Sequence, residues 1–197
     1  MKKILKFSLV LLAVLTVGNV QAASVDFLLS VEKEQGKTVT FALNQIKNID
    51  LSIYDANDNL ISSEKVSSDG NFKRTYDLKA LPEGIYFLKA ESEMKIAKYE
   101  ITVVGNVATL ASKPFSEVYK PIFMRKNGKV SLSILNFDKS PVFIKIYDAD
   151  DNEVYDSKQL TDQNVIKHFD LNPNFSDKYT FVMKYGDKVF VNTIASK

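Results

Sequence analysis

The chain has 197 residues, 25% of them charged and 45% hydrophobic, which places it among ordinary globular proteins and excludes disorder. There is no cysteine, so disulfides, thiol catalysis and thiolate metal sites are excluded. The formal charge of +2 is too small for general nucleic-acid binding, which needs clustered Lys and Arg against phosphates.

The N-terminus reads as a leader. Met1-Lys2-Lys3 is basic, Ile4 to Val17 is almost continuously apolar, and Val20-Gln21-Ala22 suits a signal peptidase. The expected mature chain therefore starts at Ala23. The clean apolar stretch, Phe7 to Val17, is shorter than the roughly 20 residues a spanning helix needs. Losing Lys2, Lys3 and Lys6 with the leader takes the formal charge from +2 to −1. No later apolar run is long enough to span a membrane as a helix, and no cysteine is present to carry a lipid.

From Ala23 onward apolar and polar residues alternate in short runs, the period of half-buried strands. Val25, Phe27, Leu29 and Val31 form the first, and Val39, Phe41 and Leu43 the second. Asn44 to Asn48 reads as a polar loop before Ile49, Leu51 and Ile53. Asp55 to Asn59 turns the chain into a polar run, Leu60 to Lys65, expected at a sheet edge. Ser67-Ser68-Asp69-Gly70-Asn71 is the densest turn signal in the chain. Strands are expected again around Phe72, Tyr76 and Leu78, then around Tyr86, Leu88 and Ala90. The last runs from about Lys95 to Val104 with Tyr99, Ile101 and Val103 inward. About seven short strands with frequent turns is the pattern of a β-sandwich.

The pattern then recurs. Ile53-Tyr54-Asp55-Ala56-Asn57-Asp58-Asn59 and Ile146-Tyr147-Asp148-Ala149-Asp150-Asp151-Asn152 differ at one position and lie 93 residues apart. From Ile53 to Thr102 the chain aligns with Ile146 to Ala195 without a gap. Upstream, alternation matches Val39, Phe41 and Leu43 to Val130, Leu132 and Ile134, which makes the following loop two residues longer in the second copy. The expected architecture is all-β: two tandem immunoglobulin-like, fibronectin III-like sandwiches after the leader. The expected divisions are 1–22 (leader), 23–104, a linker at 105–114, and 115–197. Half-apolar composition predicts a linker that packs against a domain instead of moving freely.

Few residues invite chemistry. Asp55-x-Asn57-x-Asn59 and Asp148-x-Asp150-x-Asn152 begin like calcium loops, but the positions needing glycine and a bidentate acid hold Leu60 and Val66, or Glu153 and Gln159. Turn chemistry accounts for them. His168, the sole histidine, falls on the outward side of a strand. Asp77 and Asp170 read as acceptors for turn amides. Tyr54, Tyr147, Tyr155 and Tyr185 are expected on outward faces, where aromatics serve sheet packing more often than ligands. No catalytic, cofactor-binding or metal-binding residue is assigned.

Leu78-Lys79-Ala80-Leu81-Pro82-Glu83-Gly84-Ile85-Tyr86-Phe87-Leu88 is similar to the L-x-x-L-x-x-G-x-Y run of the Por (type IX) secretion system C-terminal sorting domain. The resemblance covers about residues 49–103 and extends weakly to 142–195, where Asp177 replaces the glycine and Tyr179 keeps the tyrosine. It implies an immunoglobulin-like fold and an exported protein of the Bacteroidetes type. The expected function is a non-enzymatic binding or structural protein of the envelope or exterior, periplasmic or extracellular, with a protein or glycan partner. Alternatives are a sorting role for the C-terminal copy and a carboxylate-based hydrolase.

Overall fold

The computed structural model describes residues 26–126, 128–171 and 173–196. The leader and Val25 lie outside the described residues. Every regular element among those described is a strand, and no helix there is long and apolar enough to cross a membrane.

In the first half, β1 (Leu29–Gln35) is followed by two long strands, β2 (Thr38–Asp55) and β3 (Leu60–Asp77). Then come β4 (Gly84–Glu91), β5 (Lys95–Val104), β6 (Val107–Leu110) and β7 (Ser116–Tyr119). β2 and β3 form one antiparallel hairpin with two working ends. At one end Thr38 to Leu43 lies between β1 and the Phe72–Asp77 part of β3. At the other, Asp50 to Asp55 lies between β4 and the Leu60–Lys65 part of β3, and β5 adds beyond β4. Divided at the bend, the hairpin supplies strands to a three-stranded and a four-stranded layer, an arrangement of the immunoglobulin class.

Two expected breaks are therefore corrected. Asn44 to Asn48 and Ser67 to Asn71 do not end strands. They form opposed irregularities inside β2 and β3, where the register shifts at Ile46 and Asn48. Gly70 takes φ 116° there, a value that L side chains rarely adopt. A bulge bends a strand and raises its twist without ending its pairing, so turn-forming residues were spent on a bend. Val39, Phe41 and Leu43 on one side of the bend, and Ile49, Leu51 and Ile53 on the other, all enter one core with Phe27, Leu88, Tyr99 and Ile101.

In the second half the same pathway is cut into shorter strands: β8 (Ile122–Lys126), β9 (Lys129–Leu135), β10 (Phe143–Tyr147), β11 (Glu153–Asp156), β12 (Asn164–Asp170), β13 (Lys178–Tyr185) and β14 (Lys188–Ala195). The layers are β12-β9-β8 and β11-β10-β13-β14. Registers recur: Ile53 faces Leu88 and Ile146 faces Phe181, while Leu88 faces Tyr99 and Phe181 faces Asn192. Val39 faces Tyr76 and Val130 faces Phe169, the correspondence that alternation requires. The two extra residues fall between β9 and β10. There the buried Asn136 donates through Nδ2 to the carbonyls of Ser140 (2.9 Å) and Asp162 (3.2 Å). A polar knot thus occupies the position where β2 runs on unbroken. The second core gathers Leu132, Ile134, Ile144, Phe181 and Met183, with Phe123 and Phe169 edge-on to Phe181.

The segment after β5 is structured. The Gly105-Asn106 turn brings β6 back onto Ile101–Val104, and β7 covers Lys95–Lys98. Ala108 and Leu110 belong to the first core. Ala108 N–H donates to the Gly36 carbonyl (2.8 Å), and Leu110 N–H to Glu34 Oε1 (2.8 Å).

Candidate functional site

The duplicated turns are built alike. Asp55 Oδ1 accepts from the backbone N–H of Asn57 (2.8 Å) and Asn59 (2.9 Å), and Oδ2 accepts from Asn59 Nδ2 (2.9 Å). Asp148 Oδ1 accepts from Asp150 N–H (2.9 Å) and Asn152 N–H (2.9 Å), and Oδ2 from Asn152 Nδ2 (3.0 Å). Asp58 and Asp151 take the left-handed conformation, with φ of 60° and 61°. A short polar side chain tolerates that region best after glycine. The Asn59 and Asn152 side chains, then the turn amides, hold both carboxyls below the usual aspartate range. The carboxylates fasten the turns.

The corner before β4 is likewise local chemistry. Tyr86 is buried and its hydroxyl donates to the Pro82 carbonyl (3.0 Å), the tyrosine corner of immunoglobulin-like domains. Asp77 accepts from Lys79 N–H (3.1 Å). His168 is exposed on β12, with Nδ1 2.8 Å from Ser131 Oγ on the neighbouring strand.

Two of the four tyrosines expected outward point inward. Tyr185 is 3% exposed, stacks on Phe190 and donates to the Tyr119 carbonyl. Burial raises its pKa well above the ordinary tyrosine value. Tyr155 packs edge-on against Phe169 in the second core. Tyr185 continues the inward alternation of Tyr179, Phe181 and Met183 along β13. Tyr54 and Tyr147 are half-buried on the outer faces, and Lys89 Nζ lies 5.7 Å from the Tyr54 ring centre.

A cleft of ≈370 Å³ lies beside the bend of the first hairpin, with Asp50, Lys65, Glu91, Ser92 and Lys120 among its walls. Asp50 and Glu91 are cross-strand neighbours and form the carboxylate pair of this cleft. Asp50 lies 3.8 Å from Lys65, and Glu91 bridges Lys120 (2.8 Å) and Lys89 (3.0 Å). Partial burial alone would raise the Glu91 pKa, but the two lysines outweigh it and hold it below the usual glutamate range. A glycosidase acid needs the opposite shift. These are salt-bridged carboxylates.

The junction between the halves holds what sequence reasoning missed. Lys95 is 2% exposed, its Nζ 2.6 Å from Glu117 Oε1 and 4.4 Å from the centre of the Phe27 ring. Burial first, and the Glu117 charge second, push the adjacent Tyr99 to about 12. The only sequence signal was a lysine at an inward position of the alternating run that ends in Tyr99, Ile101 and Val103. On the far side of β7, Tyr119 packs edge-on against Phe137 of the second half, and Val118 leans on the second core.

The layers, the corner and the two cores define an all-β chain of immunoglobulin-like sandwiches. Within it, residues 35–104 match the family described as "Secretion system C-terminal sorting domain". That match runs from the end of β1 to the end of β5. No curated protein matches the chain. Among solved structures it is similar to "Biofilm associated protein - BSP domain", at 12% identity and a TM-score of 0.26, covering 84% of this chain. The chain spans 29% of the length of that structure's chain.

Proposed function

We propose that this is an exported, non-enzymatic structural or binding protein of the cell envelope or exterior, built from two immunoglobulin-like repeats. The leader is residues 1–22. The first repeat is 23–104, the linker 105–114 and the second repeat 115–197; the pairing of β6 and β7 with β5 supports a linker region that packs against the first repeat. The carrying observation is the use made of the carboxylates. Asp55, Asp77 and Asp148 fasten turns, while Asp50 and Glu91 lie against lysines. Carboxylates engaged in turns and salt bridges suit a binding or structural surface better than acid–base turnover. The partner is a protein or a glycan. Affinity capture with the mature chain, beside a glycan array and a glycosidase and peptidase panel, tests this. Specific capture without turnover is expected; turnover abolished by Glu91→Gln would overturn it.

A second reading is that the C-terminal repeat directs secretion; what supports it is its likeness to the first repeat, whose residues 35–104 match the sorting-domain family. Deleting 121–197 leaves the first sheet whole and separates the two. Unchanged export supports the structural reading, and periplasmic retention assigns sorting to the second repeat.

A further inference from the structure

The two halves differ at one sheet edge. In the first, β5 is covered by β6 and β7. In the second, β14 is the last strand of the order β11-β10-β13-β14, and among the described residues nothing pairs with its outer side. We propose that β14 accepts β11 of a second copy of this chain, joining molecules head to tail through a continuous antiparallel sheet.

Three observations converge on that occupant. First, the strand that caps the equivalent edge carries Glu117-Val118-Tyr119, and the same tripeptide, Glu153-Val154-Tyr155, lies on β11, the opposite edge of the sheet that β14 ends. Second, Lys188 stands where Lys95 stands in the first half. Lys95 takes its acid from the added strand, whereas Lys188 reaches only the neighbouring Asp187 on the exposed turn (2.6 Å). β14 carries Lys188 and no acid, while Glu153 and Asp156 of β11 share one lysine, Lys145 of β10 (2.7 and 3.4 Å), which leaves the β11 edge one negative charge in excess for Lys188 to meet. Third, the pairs β11–β10, β10–β13 and β13–β14 are all antiparallel. β11 therefore runs opposite to β14, and a second copy in the same orientation presents the antiparallel partner without inversion.

Transferring the β5–β7 register sets Lys188 opposite Tyr155 and Val189 opposite Val154, the residue of β11 at which the register against β10 shifts. Those two valines are 60% and 52% exposed, and association covers both. Arg125 holds the Ala195 carbonyl at the far end of β14 (3.0 Å), clear of the residues in this register. An unblocked edge with exposed valines is a template for strand addition. Because donor and acceptor edges differ, the contact is heterologous and propagates instead of closing at a dimer.

The absence of cysteine makes the test direct. Mature chains carrying Val154→Cys or Val189→Cys are mixed and oxidised. A disulfide-linked heterodimer in excess of either homodimer is expected, and a chain carrying both changes should give a ladder of oligomers. Val191→Cys, also exposed and on the same face, covers a register shifted by two residues. No heterodimer with either acceptor position overturns the proposal, as does a dominant Val189→Cys homodimer, which would mean two β14 edges pairing about a two-fold axis. In sedimentation velocity the unaltered chain should associate with rising concentration, and Lys188→Glu should weaken this about tenfold; a strictly monomeric chain refutes it.

Discussion

Replacing Lys95 with methionine keeps the aliphatic stem and removes the ammonium from between Glu117 and the Phe27 ring. At 2.6 Å and an effective dielectric of about 20, the attraction between the two charges is roughly 6 kcal/mol, most of it offset by the dehydration of a nearly inaccessible ammonium. Breaking a fully buried pair costs about 3–5 kcal/mol. Glu117 keeps 32% exposure and regains water, so the expected loss for Lys95→Met is about 2–3 kcal/mol. Glu117→Gln strands the buried ammonium beside an aromatic face and should cost about 3–4 kcal/mol. The double variant should recover at least about 1.5 kcal/mol as coupling. Urea unfolding followed by circular dichroism, with unchanged slope, reads these values. A coupling below about 0.5 kcal/mol would equate the pair with an ordinary surface contact and refute the argument that burial gives it strength. Because β7 leads into the second half, loosening this pair should also increase hydrogen exchange at Val118 and Tyr119.

Other outcomes follow from the same geometry. Tyr86→Phe removes the donor to the Pro82 carbonyl and should cost about 1–2 kcal/mol, read as a lower melting temperature. Phe181→Ala removes a fully buried ring packed against Phe123 and Phe169 and should cost about 3–5 kcal/mol, the largest single loss in the second core. Gly36→Ala should destabilise by about 1 kcal/mol, since φ is +59° and a Cβ would sit 3.4 Å from the Asn106 carbonyl oxygen; β6 amides should exchange faster. Asp55 and Asp148 have folded pKa values below their unfolded value of 3.8, so their stabilisation is complete above that pH. It is lost as pH falls through the folded values. Amide shifts of Asn59 and Asn152 should titrate below pH 3.8, and Asp148→Asn should flatten the acid limb of stability.

Sequence alone determined the all-β class, the inward face of nearly every strand, and the turn chemistry of the two aspartate loops. Burial imposes a period of two that survives substitution: Leu51, Ile53, Leu88 and Ile101 needed no neighbours to be placed. Tyr86 was legible too, because its partner is four residues away. What depended on distant residues was not legible. Ser67 to Asn71 carries every mark of a turn, yet it lies paired with β2, and pairing between segments twenty residues apart decides between a bend and an end. Tyr155 faces inward because Phe169 of the other layer meets it there. Lys95 is buried because Glu117, 22 residues later, comes back to meet it. Local alternation encodes which side of a strand seeks cover, and tertiary structure decides what supplies the cover and which edges remain open, since those depend on contacts between residues that the chain order does not bring together.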